Sequence, residues 1–162
     1  MFEDRRAGVE ASGVAAPTPA ASADVDVREW HHDGKHGVRL YHCEFVPQRP
    51  TATGAVVALM HGYGEHCRRY DEFAFELARR GHVVCMLDAR GHGQSGGQRG
   101  YVLDYADYVA DYAAFVERVR ARHGARPLVV MGHSNGGLIV VRALQAGLEG
   151  ARGLLLTGPL LG

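Results

Sequence analysis

The sequence lacks a net charge, a long apolar run and more than a few cysteines. Eighteen basic residues balance 18 acidic residues, so the composition gives no reason to expect a nucleic acid partner. No stretch of roughly 18 or more apolar residues occurs, and no transmembrane helix is predicted. The three cysteines, Cys43, Cys67 and Cys85, show no CxxC or other metal-ligand spacing. An odd number of cysteines favours a reduced, cytoplasmic protein, and neither a metal site nor an organic cofactor is predicted.

Large apolar residues are scarce in residues 1–26, which are rich in alanine, proline and serine. Acidic and basic residues are mixed there without an apolar segment, which argues against a secretory signal peptide. Such a composition buries too little surface to offset the entropy lost on ordering. The sequence therefore predicts a disordered tail over 1–26 and a single domain over 27–162.

The rest of the chain alternates short apolar runs with amphipathic segments and loops. Residues 27–32 and 38–45 flank a turn-rich spacer and predict a β-hairpin. Further apolar runs predict buried parallel strands, at residues 55–60, 82–88, 127–132 and 153–157. Amphipathic segments predict helices, over residues 70–80, 104–123 and 135–147. This alternation predicts an α/β fold with a mostly parallel sheet and helices on both faces.

Two groups of side chains have the composition of metal ligands without their geometry. Near the start of the longest predicted helix are three acidic residues: Asp104, Asp107 and Asp111. We interpret them as complementing the helix dipole. Three histidines surround the predicted hairpin turn: His31, His32 and His36. We interpret these as solvated, and the tyrosines of the long helix as core residues on its apolar stripe.

Ser134 lies in the pentapeptide Gly132-His133-Ser134-Asn135-Gly136, which matches G-x-S-x-G. That motif needs a strand, a sharp turn that exposes the serine hydroxyl, and a helix. The apolar runs on either side of Ser134 supply the strand and the helix. Ser95 matches the same pattern inside a glycine-rich loop, but no helix opens behind it. Ser134 is therefore the predicted nucleophile, and Ser95 is predicted to be a loop residue.

Residues 91–96 fit G-x-G-x-x-G after a predicted strand. A dinucleotide site needs a helix that opens at once and an acidic residue at the end of a second strand. Here the loop continues to Gly100, and Asp111 falls within a predicted helix. The sequence therefore argues against nucleotide binding.

A second glycine-flanked segment, residues 61–64, directly follows the run at 55–60. Acyl-transfer enzymes stabilise the oxyanion with the N–H after the nucleophile and an N–H from a loop after an earlier strand. The backbone N–H groups of Tyr63 and Asn135 are the predicted donors. Neighbouring residues are predicted to support the site: His61, Gly62, Gly64, Gly132, His133 and Gly136.

These motifs, in this order, resemble the α/β-hydrolase superfamily, and within it the monoacylglycerol lipase, lysophospholipase and serine aminopeptidase group. The matching elements are HG-x-GEH at 61–66, Arg69-Tyr70, D-x-RGHG-x-S at 88–95 and GHS-x-GG at 132–137. The resemblance covers roughly residues 30–162. It implies the same roles for Ser134, Tyr63 and Asn135. Asn135 departs from the pattern, since such proteins often carry an apolar residue there, commonly methionine.

The residues that should activate Ser134 are missing from the sequence that follows it. In α/β-hydrolases the acid and the histidine come after the serine, whereas residues 135–162 contain no aspartate or histidine and only one acid, Glu149. We therefore expect an N-terminal portion of a serine hydrolase, without its cap and C-terminal strands and inactive as it stands. Its last strand would leave an apolar sheet edge uncovered, so we expect the isolated chain to self-associate.

The expected function of the complete enzyme is ester hydrolysis through an acyl-enzyme on Ser134. By resemblance, the small-molecule substrate is a lipid ester such as a monoacylglycerol or a lysophospholipid. Two alternatives stay open: an aminopeptidase of the same fold, and a non-catalytic binding protein if the chain truly ends at Gly162. Peripheral contact with a membrane also stays open.

Overall fold

The computed structural model describes residues 24–49, 51 and 53–161. The predicted tail falls mostly on residues 1–23, outside the described part of the chain. Within 24–26, which the sequence also assigned to the tail, the first strand has already begun. Val25 pairs with Pro47 and is buried, so it belongs to the folded domain.

The described residues form six strands and three α-helices, with three strands before the first α-helix and helices between the later strands. In order they are β1 (Val25–Asp33), β2 (Arg39–Pro47), β3 (Val56–Met60), α1 (Asp71–Arg79), β4 (Val83–Leu87), α2 (Ala106–His123), β5 (Leu128–His133), α3 (Asn135–Gln145) and β6 (Ala151–Thr157). Short 3₁₀ helices cover Lys35–Gly37 and Cys67–Tyr70. The elements lie within a few residues of their predicted positions, because apolar periodicity marks the buried face of each one.

The strands form a single sheet in the order β1-β2-β4-β3-β5-β6. The hairpin strands pair antiparallel, and β2 also pairs antiparallel with β4. The remaining neighbours, β4 with β3, β3 with β5 and β5 with β6, are parallel. The predicted α/β fold with a mostly parallel sheet is confirmed.

Helices cover both faces of the sheet and create two apolar layers. Along β3, Val56, Ala58 and Met60 face the layer beneath α2 and α3, while Val57 and Leu59 face the layer beneath α1. Complete burial of a side chain such as Leu59 stabilises the fold by about 2 kcal/mol. A strand buried on both faces cannot alternate apolar with polar residues, which explains the continuous apolar runs.

The fold brings three loops together at one edge of the sheet. Strands β3, β4 and β5 are parallel neighbours, so the segments after their carboxyl ends meet there. These segments are residues 61–66, residues 88–100 and the turn at Ser134. Of the helices that the structure describes, none combines the length and apolarity needed to cross a bilayer.

Candidate active site

Ser134 occupies the turn between β5 and α3 in a strained backbone conformation. Its φ is 50° and its ψ is −119°. Among the described non-glycine residues, only His36 also has a positive φ. A side chain held there costs roughly 1–3 kcal/mol, and such strain persists only where surrounding contacts enforce it. Here Ser134 N–H donates to the Thr157 carbonyl at 3.0 Å, and the Ser134 carbonyl accepts from Leu160 N–H at 3.1 Å.

Two glycines allow α3 to start this close to the sheet. A Cβ on Gly132 would lie 2.5 Å from the Gly136 carbonyl oxygen, and one on Gly136 would lie 2.3 Å from the Met60 carbonyl oxygen. Contacts this short are not tolerated, so each position requires glycine for steric reasons. The G-x-S-x-G pattern thus reflects the close packing of the turn against the end of β3.

The loop after β3 runs alongside Ser134. Gly62 is so close that a Cβ placed on it would lie 3.2 Å from Ser134 Cβ, and Gly64 turns the chain with a φ of 74°. Within the described residues, no hydrogen bond uses the backbone N–H of Tyr63 or of Asn135. The structure therefore brings two backbone donors with no protein acceptor to the neighbourhood of the serine.

Glu65 holds this loop in place through hydrogen bonds, a role that the sequence analysis did not assign. Its Oε2 accepts hydrogen bonds from Gly62 N–H at 3.1 Å and from the Tyr70 hydroxyl at 2.7 Å. Burial raises the pKa of the Glu65 carboxyl, but these hydrogen bonds, His133 and Arg69 together lower the pKa below its ordinary value. Glu65 is therefore a carboxylate at neutral pH. Glu65 lies in the HG-x-GEH segment and Tyr70 in the Arg69-Tyr70 segment, and these two segments were the sequence features from which this role could have been inferred.

His61 is a positioning residue rather than a base. Ala89 N–H donates to its Nε2 at 3.0 Å, so the ring proton sits on Nδ1, which donates to the Gly62 carbonyl at 2.7 Å. Burial lowers the pKa of His61 despite the opposing effects of Gly62 and Asp88. The neutral ring links the loop after β3 to the end of β4.

His133, directly before Ser134, pairs with a residue of β6. His133 Nδ1 lies 2.9 Å from Thr157 Oγ1, on β6. Among the side-chain hydrogen bonds of the described residues, none involves Ser134 Oγ. This part of the chain therefore brings the Ser134 hydroxyl close to two backbone donors, and no described side chain is hydrogen-bonded to that hydroxyl.

The loop after β4 is held by Asp88 and Ser95. Asp88 accepts hydrogen bonds from Cys67 N–H through Oδ1 and from Gln94 N–H through Oδ2, each at 2.7 Å. Ser95 Oγ donates to the Asp88 carbonyl at 2.6 Å and accepts from Tyr41 N–H at 2.9 Å. Ser95 is buried and fully used by these bonds, so it ties the loop to β2.

Asp107 and Asp111 of α2 pair with Arg90, a contact that the helix-dipole interpretation did not include. Arg90 binds Asp111 with two bonds, from Nε at 2.7 Å and Nη2 at 2.9 Å, and binds Asp107 through Nη1 at 2.9 Å. Lys35 and Arg90 lower the pKa of Asp107. Asp107 lies in the first turn of α2, and just before the helix Asp104 Oδ1 accepts a hydrogen bond from Ala106 N–H. Sequence spacing could not show that a loop arginine meets the helix.

Aromatic side chains connect Tyr63 and Asn135, the two residues whose backbone N–H groups have no acceptor among the described residues. Tyr63 donates its hydroxyl to the Gly100 carbonyl at 2.7 Å and packs edge-on against His92, with ring centroids 5.3 Å apart. At the other donor, the Tyr105 hydroxyl donates to Asn135 Oδ1 at 3.0 Å. Tyr108 lies between His92 and Tyr105. Tyr105 therefore hydrogen-bonds to Asn135 in addition to the core packing that its position on the apolar stripe predicted.

The hairpin histidines differ from one another. His31 and His36 are exposed, as expected, but His32 is buried and packs against the ring of His42 at 5.1 Å between centroids. Because side chains alternate across a strand, neighbouring residues of β1 face opposite sides of the sheet. His32 is on the side covered by α2, and interpreting it as solvated was wrong.

Comparison with known proteins gives one matching family model and many relatives. The model described as serine aminopeptidase, S33 matches residues 51–162. The chain is 40% identical over 107 residues to a monoacylglycerol lipase of Mycolicibacterium smegmatis, covering 66% of this chain and 38% of that protein. It is 38% identical over 114 residues to a monoglyceride lipase of Rattus norvegicus, covering 70% of this chain and 38% of that protein.

Solved structures share the fold. A soluble variant of the monoglyceride lipase from Saccharomyces cerevisiae, in complex with a substrate analog, matches with a TM-score of 0.73 at 25% identity. The match covers 91% of this chain and 49% of the yeast chain. The present chain spans 38% of the length of both curated relatives.

Proposed function

Because the chain belongs to the serine aminopeptidase S33 family of α/β-hydrolases, we propose that this protein cleaves carboxylic esters through an acyl-enzyme on Ser134. One observation carries the proposal. Ser134 is held at a positive φ, beside two backbone N–H groups that no described residue accepts from. Strain of this kind is stored at functional sites, where exposing a reactive group outweighs its cost to stability.

The proposed first step is attack of Ser134 Oγ on the ester carbonyl. As the C–O bond forms, negative charge moves onto the carbonyl oxygen, which accepts hydrogen bonds from the N–H groups of Tyr63 and Asn135. The amino-terminal end of α3 adds a favourable dipole, because Asn135 is its first residue. A general base takes the Ser134 proton during the attack and gives it to the alcohol as that group leaves. The same base then takes a proton from the water that attacks the acyl-enzyme and returns it to Ser134 as the carboxylic acid is released.

The described residues provide no general base for Ser134. No described side chain hydrogen-bonds to Ser134 Oγ, and residues 135–162 contain no histidine or aspartate. We infer that a histidine and an acid from outside these 162 residues complete the triad, and that the 162-residue chain has no hydrolytic activity by itself.

The proposed substrates are lipid esters, monoacylglycerols first and lysophospholipids second. Support comes from the names of the two curated relatives, a monoacylglycerol lipase and a monoglyceride lipase. The surface beside the oxyanion loop is also apolar, since Leu103 is 87% exposed and Tyr101 is 49% exposed close to Gly100, which binds Tyr63. We propose that this surface gives peripheral contact with a membrane for a cytoplasmic enzyme.

A second candidate activity is removal of amino-terminal residues from short peptides. The observation that favours it is the description of the matching family model, serine aminopeptidase. Both reactions use the same serine and the same oxyanion donors, so residues outside this chain would select between them.

We further propose that the 162-residue chain self-associates. Strand β6 is at one edge of the sheet, and Leu154 and Leu155 are each nearly half exposed on its two faces. An uncovered edge with apolar side chains pairs readily with a second copy.

The test is made on the full-length protein from the natural reading frame, with Ser134→Ala as the variant. A monoacylglycerol, a lysophosphatidylcholine and an aminoacyl anilide serve as substrates. We expect ester hydrolysis to fall at least about 10³-fold in the variant, and a fluorophosphonate probe to label only the unmodified protein. Full activity or labelling in Ser134→Ala would overturn the proposal, and hydrolysis of the anilide alone would select the aminopeptidase.

A further inference from the structure

Three side chains with metal-binding chemistry meet on the α2 side of the sheet, away from the loops that carry Ser134. Glu44 on β2 and Cys85 on β4 are direct cross-strand partners. His123, the last residue of α2, lies over them. We propose that Glu44, Cys85 and His123 form a binding site for a divalent transition-metal ion of the zinc type, a site that the sequence did not predict.

The distances fit coordination by one ion. One ligand atom from each residue lies within 4.8 Å of the other two, and His123 Nε2 lies 3.3 Å from Glu44 Oε2. In a tetrahedral zinc site with bonds of about 2.0–2.3 Å, neighbouring ligand atoms are about 3.3–3.7 Å apart. The nitrogen and the oxygen already have this spacing, and the thiol needs to move by only about 1 Å.

The set of ligand types selects the metal. A thiolate, an imidazole and a carboxylate are all ligands of zinc, whereas magnesium and calcium take oxygen ligands only. Three protein ligands leave a fourth position for water. On binding, the Cys85 thiol releases its proton to solvent as the metal–sulfur bond forms, so uptake of the ion releases one proton if His123 is neutral.

The neighbouring residues orient the carboxylate. Glu44 is 1% exposed, and a buried carboxylate needs a compensating cation. Arg122 contacts Oε1 of Glu44 at 3.3 Å while its guanidinium stacks on Trp30, 3.9 Å from the ring centroid. Oε2 therefore remains directed toward His123. Outer contacts of this kind commonly hold a metal ligand in place.

A small cavity lined by Glu44 offers room for water beside the cluster. Its volume is about 90 Å³, and Glu44 lines it together with His32 and His42. Both ring nitrogens of His32 and Nδ1 of His42 are buried without a hydrogen-bond partner among the described residues. A water occupies about 30 Å³ in the liquid, so the cavity can hold water that bonds these nitrogens and Glu44, whereas Cys85 and His123 do not line it.

The rival explanation is an ion-pair network alone, in which Arg122 and a protonated His123 balance Glu44. The experiment that separates the two uses the purified protein after treatment with a chelator, titrated with Co²⁺ as a spectroscopic substitute for zinc. We expect one equivalent of Co²⁺ to bind, with the intense ultraviolet charge-transfer band of a cobalt–thiolate bond, and Zn²⁺ to displace it.

Variants assign the ligands. Cys85→Ala should abolish the charge-transfer band, and His123→Gln should weaken Co²⁺ binding at least tenfold. The matched controls are Cys67→Ala, which removes another buried thiol, and His31→Gln, which removes an exposed histidine. Both should bind like the unmodified protein. Circular dichroism of the metal-free variants shows whether each one is folded.

The spectrum of the unmodified protein is decisive even if a variant fails to fold. Binding of well under half an equivalent, or binding without a thiolate band, would overturn the site and favour the ion-pair network. A thiolate band that persists in Cys85→Ala and disappears in Cys67→Ala would overturn it as well, because the ion would then lie at the other thiols.

Discussion

The hydroxyl of Tyr105, just before α2, donates a 3.0 Å hydrogen bond to Oδ1 of Asn135, the residue that follows Ser134. This bond joins the start of α2 to the start of α3, directly beside Ser134. It also gives the polar side chain of Asn135 a hydrogen-bond partner. The proposed catalytic contribution of Asn135 comes from its backbone, so the side chain and the N–H group can be tested separately.

Replacing Asn135 by methionine should affect stability more than catalysis. The variant keeps the backbone donor and loses one side-chain hydrogen bond, worth about 1 kcal/mol. We expect kcat/KM of the full-length enzyme to stay within about threefold, with a lower melting temperature. Tyr105→Phe should lower the melting temperature by a similar amount. A hundredfold loss of kcat in Asn135→Met would show that the side chain itself takes part in the reaction.

Ser134→Gly should be more stable than Ser134→Ala by about 1 kcal/mol. Glycine adopts the positive φ without steric strain, whereas alanine keeps the strained Cβ. Urea unfolding of the two variants measures the difference directly. Equal free energies of unfolding would mean that the turn stores no strain.

Arg90→Ala should destabilise the protein by about 3 kcal/mol, because Asp111 would be left buried without its charged partner while Asp107 keeps only Lys35. The control in the same loop is Arg99→Ala, which removes an exposed side chain that bonds one carbonyl, and its cost should be below about 1 kcal/mol. Chemical denaturation at neutral pH gives both values. A loss in Arg90→Ala no larger than in the control would contradict the buried network.

Acidification should destabilise the fold in part through His61. Burial lowers its pKa in the folded protein from the ordinary value near 6.5, although Asp88 and Glu65 nearby favour the charged ring and His92 opposes it. The unfolded chain therefore takes up the proton first. This contribution to stability is complete above pH 6.5 and is lost as the pH falls below it toward the lowered pKa.

Denaturation curves between pH 7.5 and about 5 test this expectation. Replacing His61 by asparagine should make the free energy of unfolding less dependent on pH over that interval, whereas His31→Asn, at an exposed position of β1, should leave the dependence unchanged. The same slope in His61→Asn as in the unmodified protein would show that His61 does not contribute.

The 162-residue chain should elute from a sizing column ahead of a monomer, with an apparent size that grows with concentration. Leu155→Lys on the exposed edge strand should shift it toward the monomer. Leu103→Lys is the control, since Leu103 is also exposed but lies in a loop before α2. A monomer at all concentrations would contradict edge pairing, and an equal effect of both substitutions would place the contact elsewhere.

Much of the architecture could be predicted from the order of residues. Strands β3 and β4 are continuous apolar runs because both faces of the sheet are covered, and α2 shows its buried stripe directly. Ser134 stood out because its motif is local: a strand, a tight turn and a helix are adjacent in sequence. The family resemblance rested on the same short segments.

Other features involve residues far apart in the chain, and sequence patterns did not identify them. Arg90 meets Asp111 across 21 positions, and His123 reaches Glu44 across 79. The local sequence around Asp107, Asp111 and His32 does not indicate their contacts in the fold. The two aspartates were therefore interpreted as helix-start residues, and His32 as solvated.

The sequence by itself determined the alternation of strands and helices, the turn that holds Ser134, and the glycines that let it form. Only the tertiary structure decided which charges are buried, which ring nitrogen of His61 carries the proton, and that Glu44, Cys85 and His123 meet. The physical reason is the separation along the chain between the residues that interact. Periodicity and turn chemistry act over a few residues, whereas burial and hydrogen bonding depend on neighbours that only the folded chain brings together.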